Sequence, residues 1–140
     1  MVPAQPATGA EVPLFNEINK VRTAAGKEPL KRSPKLDKLA AGESTRLAVT
    51  GTRKGNIPGV RKRSGYERAA LLVGDLKDRG PSTGASYPGY WMKGKVGKEY
   101  LLGDWHRIGV GTAKSSGGDL VSVVVFGSLG GGSLLYPVLP

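Results

Sequence analysis

The sequence of 140 residues contains no cysteine. This absence excludes disulfide bonds, thiol nucleophiles and thiolate metal sites, although a domain of this size can fold without disulfides in any compartment. Acidic residues are few, with 11 Asp and Glu against 21 Lys and Arg, which gives a net charge of +10. Such a surplus is compatible with a surface that is simply basic and well solvated. Alternatively, it favours an acidic binding partner, and the charge alone does not distinguish anionic polysaccharide, phospholipid headgroups and nucleic acid.

The sequence also lacks any apolar run of the roughly 20 residues that span a membrane. Residues 1–11 have neither the basic n-region nor the apolar core of a signal peptide. A chain that starts after a cleaved signal peptide and a cytosolic protein would both look like this.

Glycine and proline are abundant, at 22 and 10 residues, which predicts many turns. The length suits one domain. We expect a disordered lead-in over residues 1–11, the domain over 12–129 and a glycine-rich tail over 130–140.

The helical signals lie mainly in the first half. Apolar residues from Leu14 recur at helical spacing and predict a first helix that closes at Gly26. Ser33 as N-cap before Pro34 predicts a second helix, ending at Gly51. We further expect a loop over 52–64, a shorter helix over about 66–73, and a short helical segment around 90–92.

The last third carries the strand signals. Residues 106–113 and 120–126 predict two strands joined by a turn over 114–119. The second strand is apolar on nearly both faces, which predicts a central position. Helices followed by a hairpin indicate the α+β class.

Several motifs in this order resemble the bacterial type of the CAP (SCP-like) superfamily. Residues 19–22 match its N-x-x-R helix, 26–30 its G-x-x-P-L turn and 36–40 its L-x-x-x-A helix. Later come W-M at 91–92, I-G-V-G at 108–111 and F-G at 126–127. The resemblance implies a three-layer α-β-α sandwich with a central antiparallel sheet, usually secreted, so extracellular or periplasmic.

The sequence departs from the family mainly at the family's polar site. Typical members carry two histidines and two acidic residues that can bind a divalent metal. The histidines would fall near Gly55 and Lys98, where this chain has lysine and arginine instead, while Glu67 corresponds to the acidic residue of the family's G-E-N motif. Because zinc needs at least three suitable ligands, we predict no metal and no cofactor. A lysine there repels cations and attracts anions.

We therefore predict a ligand-binding cleft and no catalytic residues. Its members are Arg53, Lys54, Glu67, Lys95, Lys98 and His106. The basic run 61–63, followed by Tyr66, is either an anion-gripping patch or a solvated loop. Trp91 is expected to be buried, since aromatic residues at this density belong more often to a core than to a stacking surface.

The predicted function is a secreted, non-catalytic CAP-like binding module with a basic surface. Its ligand would be anionic or amphipathic, such as an anionic polysaccharide, a lipid headgroup or a cell-surface polymer. One alternative is a hydrolase that uses Glu67 and His106. The other is a non-specific nucleic-acid binder, which the charge permits although no helix-turn-helix, zinc-finger or RNP pattern is present.

Overall fold

A computed structural model describes residues 5–6, 11–52, 54–76, 87–117 and 120–128. Within these ranges the helices are α1 (Glu11–Ala24), α2 (Pro34–Thr50), α3 (Ile57–Ser64), α4 (Tyr87–Trp91) and α5 (Lys95–Leu101). The strands are β1 (Gln5–Pro6), β2 (Lys31–Arg32), β3 (Arg68–Leu76), β4 (Arg107–Lys114) and β5 (Leu120–Ser128).

The strands form one sheet in the order β1-β4-β5-β3. The pairs β3–β5, β4–β5 and β1–β4 are antiparallel, and β2 adds a short parallel pairing at the start of β4. The predicted hairpin and the central position of β5 are both confirmed. Every residue of β5 is buried, as expected for a strand with neighbours on both edges and layers on both faces.

Helices cover both faces of the sheet, so the three-layer sandwich is confirmed. Alternate residues of β5 point to opposite faces. Val124 and Phe126 join a core with α1, α4 and α5, and Val123 and Val125 join a second core with α2 and α3. Among the described helices, none is long and apolar enough to cross a membrane.

Helix α2 lies directly on β4. It begins as predicted, with Ser33 Oγ accepting a hydrogen bond from the Leu36 amide at 3.2 Å, and it ends at Gly51 in the left-handed conformation. A Cβ at Gly109 or Gly111 would collide with the backbone of α2, near Leu36 and Ala40 respectively. These two positions accept only glycine because the helix backbone occupies the side-chain space.

Two predicted elements are wrong. The helix expected over 66–73 is instead β3, which pairs with β5 along nine residues. A short apolar run does not distinguish a helix from a buried strand, and pairing with β5 decided the outcome. The loop expected over 52–64 contains α3, which begins where the Asn56 side chain accepts a hydrogen bond from the Gly59 amide at 3.2 Å.

The two chain ends differ in what the structure describes. Gln5–Pro6 pair with β4, and α1 begins at Glu11, so these residues of the expected disordered lead-in 1–11 belong to regular elements. The glycine-rich tail 130–140 lies outside the described residues.

Candidate functional site

An open groove of about 730 Å³ lies beside α3 and is called the α3 groove below. Helix α3 ends at Gly65, whose φ of 78° turns the chain back along the helix before β3 begins. The turn therefore brings the segment after Gly65 alongside α3, and these two parts of the chain line the groove. The lining residues are Pro58, Arg61, Lys62, Gly65, Tyr66, Glu67 and Arg68.

The α3 groove is positively charged. Arg61, Lys62 and Arg68 supply three cations against the single carboxylate of Glu67. Arg61 and Lys62 are exposed, and among the described residues neither forms an ion pair. Both lie in the last turn of α3, where the negative end of the helix dipole favours cations. Their charge is therefore available to a ligand.

Tyr66 gives the groove an aromatic wall. A Cβ at Gly127 would lie only 2.8 Å from Cγ of Tyr66, so the ring packs flat against strand β5 at a residue without a side chain. The Tyr66 amide donates to Ser64 Oγ at 3.1 Å, which fixes the backbone before the ring. The ring is half-buried and packs against the core that carries α2 and α3.

An ion pair between the buried carboxylate of Glu43 and the partly exposed Arg46 holds the loop between α2 and α3. Glu43 accepts two hydrogen bonds from Arg46, at 3.0 and 2.6 Å, and a third from the Asn56 amide at 2.7 Å. The hydrogen bond from Arg46 lowers the pKa of Glu43 below its ordinary value, and burial opposes this shift. Arg46 also donates to the carbonyl of Lys54 at 3.2 Å, so the pair positions this predicted site residue.

The predicted cleft residues occupy several places. Lys54 is exposed on the face of the sheet that carries α2, whereas Lys95 and Lys98 are exposed on α5, which packs on the opposite face. No described contact joins Lys54 to the two lysines of α5. Arg53 lies outside the described residues.

Glu67 and His106, the pair required by the hydrolase alternative, line different cavities. Glu67 lines the α3 groove, and His106 lines a pocket of about 310 Å³, called the α1–β4 pocket below. The α1–β4 pocket is lined by Arg22, Gly26, Lys27, Glu28, Asp104, Trp105 and His106. The two cavities share no lining residue.

Within the described ranges, no group of three or more acidic or histidine residues could hold a metal ion. The predicted absence of a metal and of a cofactor stays a prediction.

Comparison with known proteins settles the family. The sequence profile described as the cysteine-rich secretory protein family, CAP, matches residues 15–126. The chain belongs to the CAP family. This CAP chain departs from the family's description in having no cysteine. A search of curated protein sequences gives no match.

Solved structures share the CAP fold with this chain. An outer surface protein of Borrelia burgdorferi superposes with a TM-score of 0.75 at 18% identity, over 91% of this chain and 98% of that one. A cysteine-rich secretory protein of Staphylococcus aureus gives 0.67 at 16%, over 85% of this chain and 38% of that one. Venom allergen-like protein 4 of Schistosoma mansoni gives 0.63 at 15%, over 86% and 89%. At these identities the likeness concerns the fold alone.

The sequence predicted a loop for the basic run 61–63, whereas these residues form the last turn of α3. The signal for α3 was present in Asn56, an N-cap residue, followed by Pro58 near the first helical position. Arg22 and Trp105 of the α1–β4 pocket were not predicted as site residues. Their proximity depends on long-range packing that no local pattern encodes.

Proposed function

We propose that this chain is a secreted, non-catalytic CAP module that binds an anionic polysaccharide in the α3 groove. The observation that carries the proposal is the open groove lined by Arg61, Lys62 and Tyr66, in which neither cation forms an ion pair with any described residue. The net charge of +10 supports an acidic partner. Glu67 and His106 line two different cavities, so neither cavity by itself holds the pair that the hydrolase alternative requires.

A polyuronate fits this groove for two reasons. Its carboxylates repeat along the chain and can meet cations spaced along α3, and arginine can hold a carboxylate through two parallel hydrogen bonds. Its sugar rings have apolar faces that can stack on Tyr66. A planar membrane surface would instead require a convex or flat basic face, and the groove is concave.

Lys95 and Lys98 on α5, and Lys54 on the opposite face of the sheet, are two further candidate contacts, because the sequence predicted them as parts of the cleft. We propose them as a secondary contact for the same polymer at most. Lys95 and Lys98 are exposed, but no described cavity joins them to the groove.

The test compares two double variants with equal charge changes. Arg61→Gln/Lys62→Gln removes two cations from the groove, and Lys95→Gln/Lys98→Gln removes two from α5. Binding of oligogalacturonate is measured by calorimetry at low and moderate salt. We expect the groove variant to lose about tenfold in affinity and the α5 variant less than about twofold, since each exposed ion contact contributes up to about 1 kcal/mol.

Three results would contradict the proposal. An equal loss in both variants would mean that overall charge, not the groove, binds the polymer. Tighter binding to single-stranded DNA or to vesicles of anionic phospholipid under the same conditions would identify a different partner. Release of new reducing ends from the oligogalacturonate, lost in Glu67→Gln, would make the module an enzyme.

A further inference from the structure

Arg22 is a buried cation held by carbonyl groups. The residue is only 2% exposed. Its Nε donates to the carbonyl of Glu28, and its Nη1 donates to the carbonyls of Leu101 and Gly103, each at 2.8 Å. These bonds tie the end of α1 to the connection between α5 and β4. They also fix the plane of the guanidinium.

The remaining nitrogen of this guanidinium has no acceptor. Among the described residues, no group accepts a hydrogen bond from Nη2 and no carboxylate lies within ion-pair distance of Arg22. Arg22 lines the α1–β4 pocket. Nη2 is not among the fully buried, unpaired polar atoms of the described residues, so it opens to the pocket, and a guanidinium N–H there favours an anionic partner. The geometry therefore offers a fixed donor to a small carboxylate.

The rim of the α1–β4 pocket carries charges of both signs. Lys27 lies 3.9 Å from Asp104 in an exposed ion pair, and Glu28 also lines the pocket. Two carboxylates near the opening disfavour a multiply charged anion such as phosphate. They favour a ligand that brings a positive group together with its carboxylate.

We infer that the α1–β4 pocket binds a small zwitterion, namely a free α-amino acid. The carboxylate of the ligand meets Arg22 and Lys27, and its ammonium group meets Asp104 and Glu28. The side of the pocket formed by Trp105 and His106 leaves room for a small side chain. This site is independent of the α3 groove and does not rest on the function proposed above.

The experiment uses the full chain and glycine as the probe. Nuclear magnetic resonance follows the Nε–H of Arg22 and the indole N–H of Trp105 during titration. We expect both signals to shift with a dissociation constant of about 1 mM, which is usual for so small a ligand. Acetate, which lacks the ammonium group, should bind several-fold more weakly, and methylammonium should leave both signals in place.

Matched variants separate the pocket from general charge. Lys27→Gln should weaken glycine binding about three- to fivefold, the usual contribution of one exposed charge, and Lys20→Gln, on the same helix but outside the pocket, should not. Arg22→Lys keeps the buried charge but loses the second guanidinium nitrogen, so it should abolish binding. Arg61→Gln/Lys62→Gln should bind glycine normally.

Several outcomes would overturn the inference. Unshifted Arg22 and Trp105 signals at saturating glycine would show that the pocket takes no amino acid. Acetate binding as tightly as glycine would refute the zwitterion. An equal effect of Lys20→Gln and Lys27→Gln would place the interaction elsewhere, and that comparison holds even if Arg22→Lys does not fold.

Discussion

The guanidinium carbon of Arg68 lies 5.1 Å from the centre of the Trp105 ring. Arg68 lines the α3 groove and Trp105 lines the α1–β4 pocket, so this contact joins a lining residue of one cavity to a lining residue of the other. Trp105 also stacks on Phe126 of β5, with 5.5 Å between ring centres. A polymer that draws Arg68 towards the groove would therefore change the surroundings of the indole.

Replacing Arg68 with methionine removes the cation but keeps most of the apolar stem. We expect the free energy of unfolding to fall by about 0.5–1 kcal/mol, the contribution of an exposed cation–π contact. Urea unfolding followed by tryptophan fluorescence measures this change. Arg61→Met, outside any aromatic contact in the described structure, serves as the control. If Arg68→Met were as stable as the parent chain, the contact between Arg68 and Trp105 would not contribute to stability.

Gly111→Ala tests the seating of α2 on β4. The added methyl group would meet the backbone of Ala40 and Ala41, which cannot move without displacing the helix. We expect a loss of at least about 3 kcal/mol, comparable to severe core overpacking. Gly42→Ala, on α2 with no atom within 4 Å, should instead stabilise by up to about 1 kcal/mol. Thermal unfolding of both variants gives the comparison, and a mild effect of Gly111→Ala would contradict the close contact.

Glu43→Gln should destabilise the protein by about 2 kcal/mol at neutral pH, because it removes a buried charge with three hydrogen bonds. The folded-state pKa of Glu43 is lowered, chiefly by the hydrogen bond from Arg46. Its stabilisation is therefore complete above the unfolded pKa of about 4.3 and is lost as the pH falls through the folded value.

Chemical unfolding at several pH values tests this sign. The difference between the parent chain and Glu43→Gln should be constant from pH 7 to about 5 and shrink below the unfolded pKa of about 4.3. Glu99→Gln, which removes an exposed carboxylate on α5, serves as the control. A gap that widens on acidification would refute the lowered pKa.

Ser122→Ala should stabilise the protein. The hydroxyl of Ser122 is fully buried in β5 and has no hydrogen-bond partner within the part of the chain that the structure describes. Removing a buried unpaired hydroxyl recovers about 1 kcal/mol. Ser44→Ala is the matched control, because that equally buried hydroxyl donates to the Ala41 carbonyl at 2.9 Å, and its loss should give no such gain. Destabilisation by Ser122→Ala would reveal a partner for the hydroxyl.

Trp91 was predicted to be buried, and it is 6% exposed, with its indole donating to the Val73 carbonyl at 3.3 Å. Trp91→Ala should cost about 3–5 kcal/mol. Trp91→Phe, which keeps an aromatic ring and loses the hydrogen bond, should cost about 1–2 kcal/mol. Calorimetric melting distinguishes the two. If Trp91→Ala melted like the parent chain but lost oligogalacturonate binding, Trp91 would be a stacking residue and not a core residue.

The sequence was sufficient for elements whose signals are local. Ser33 with Pro34 marked the start of α2, and alternating valines marked β5. It was insufficient for β3, because the apolar run of Leu71 and its neighbours acquires a strand conformation only by pairing with β5. The candidate site was harder still to predict from the sequence. Glu67 was recognised, but its neighbours in the groove depend on α3, and the unpaired nitrogen of Arg22 depends on three carbonyls from distant parts of the chain.

The direct contact between α2 and β4 has an evolutionary consequence. At Gly109 and Gly111 the distance between the helical layer and the sheet is set by main-chain atoms, which are the same whatever the neighbouring side chains are. Core residues elsewhere can then be replaced without changing the distance between α2 and β4 at these two glycines. An architecture anchored in this way does not depend on which apolar residues fill the two cores beside the sheet.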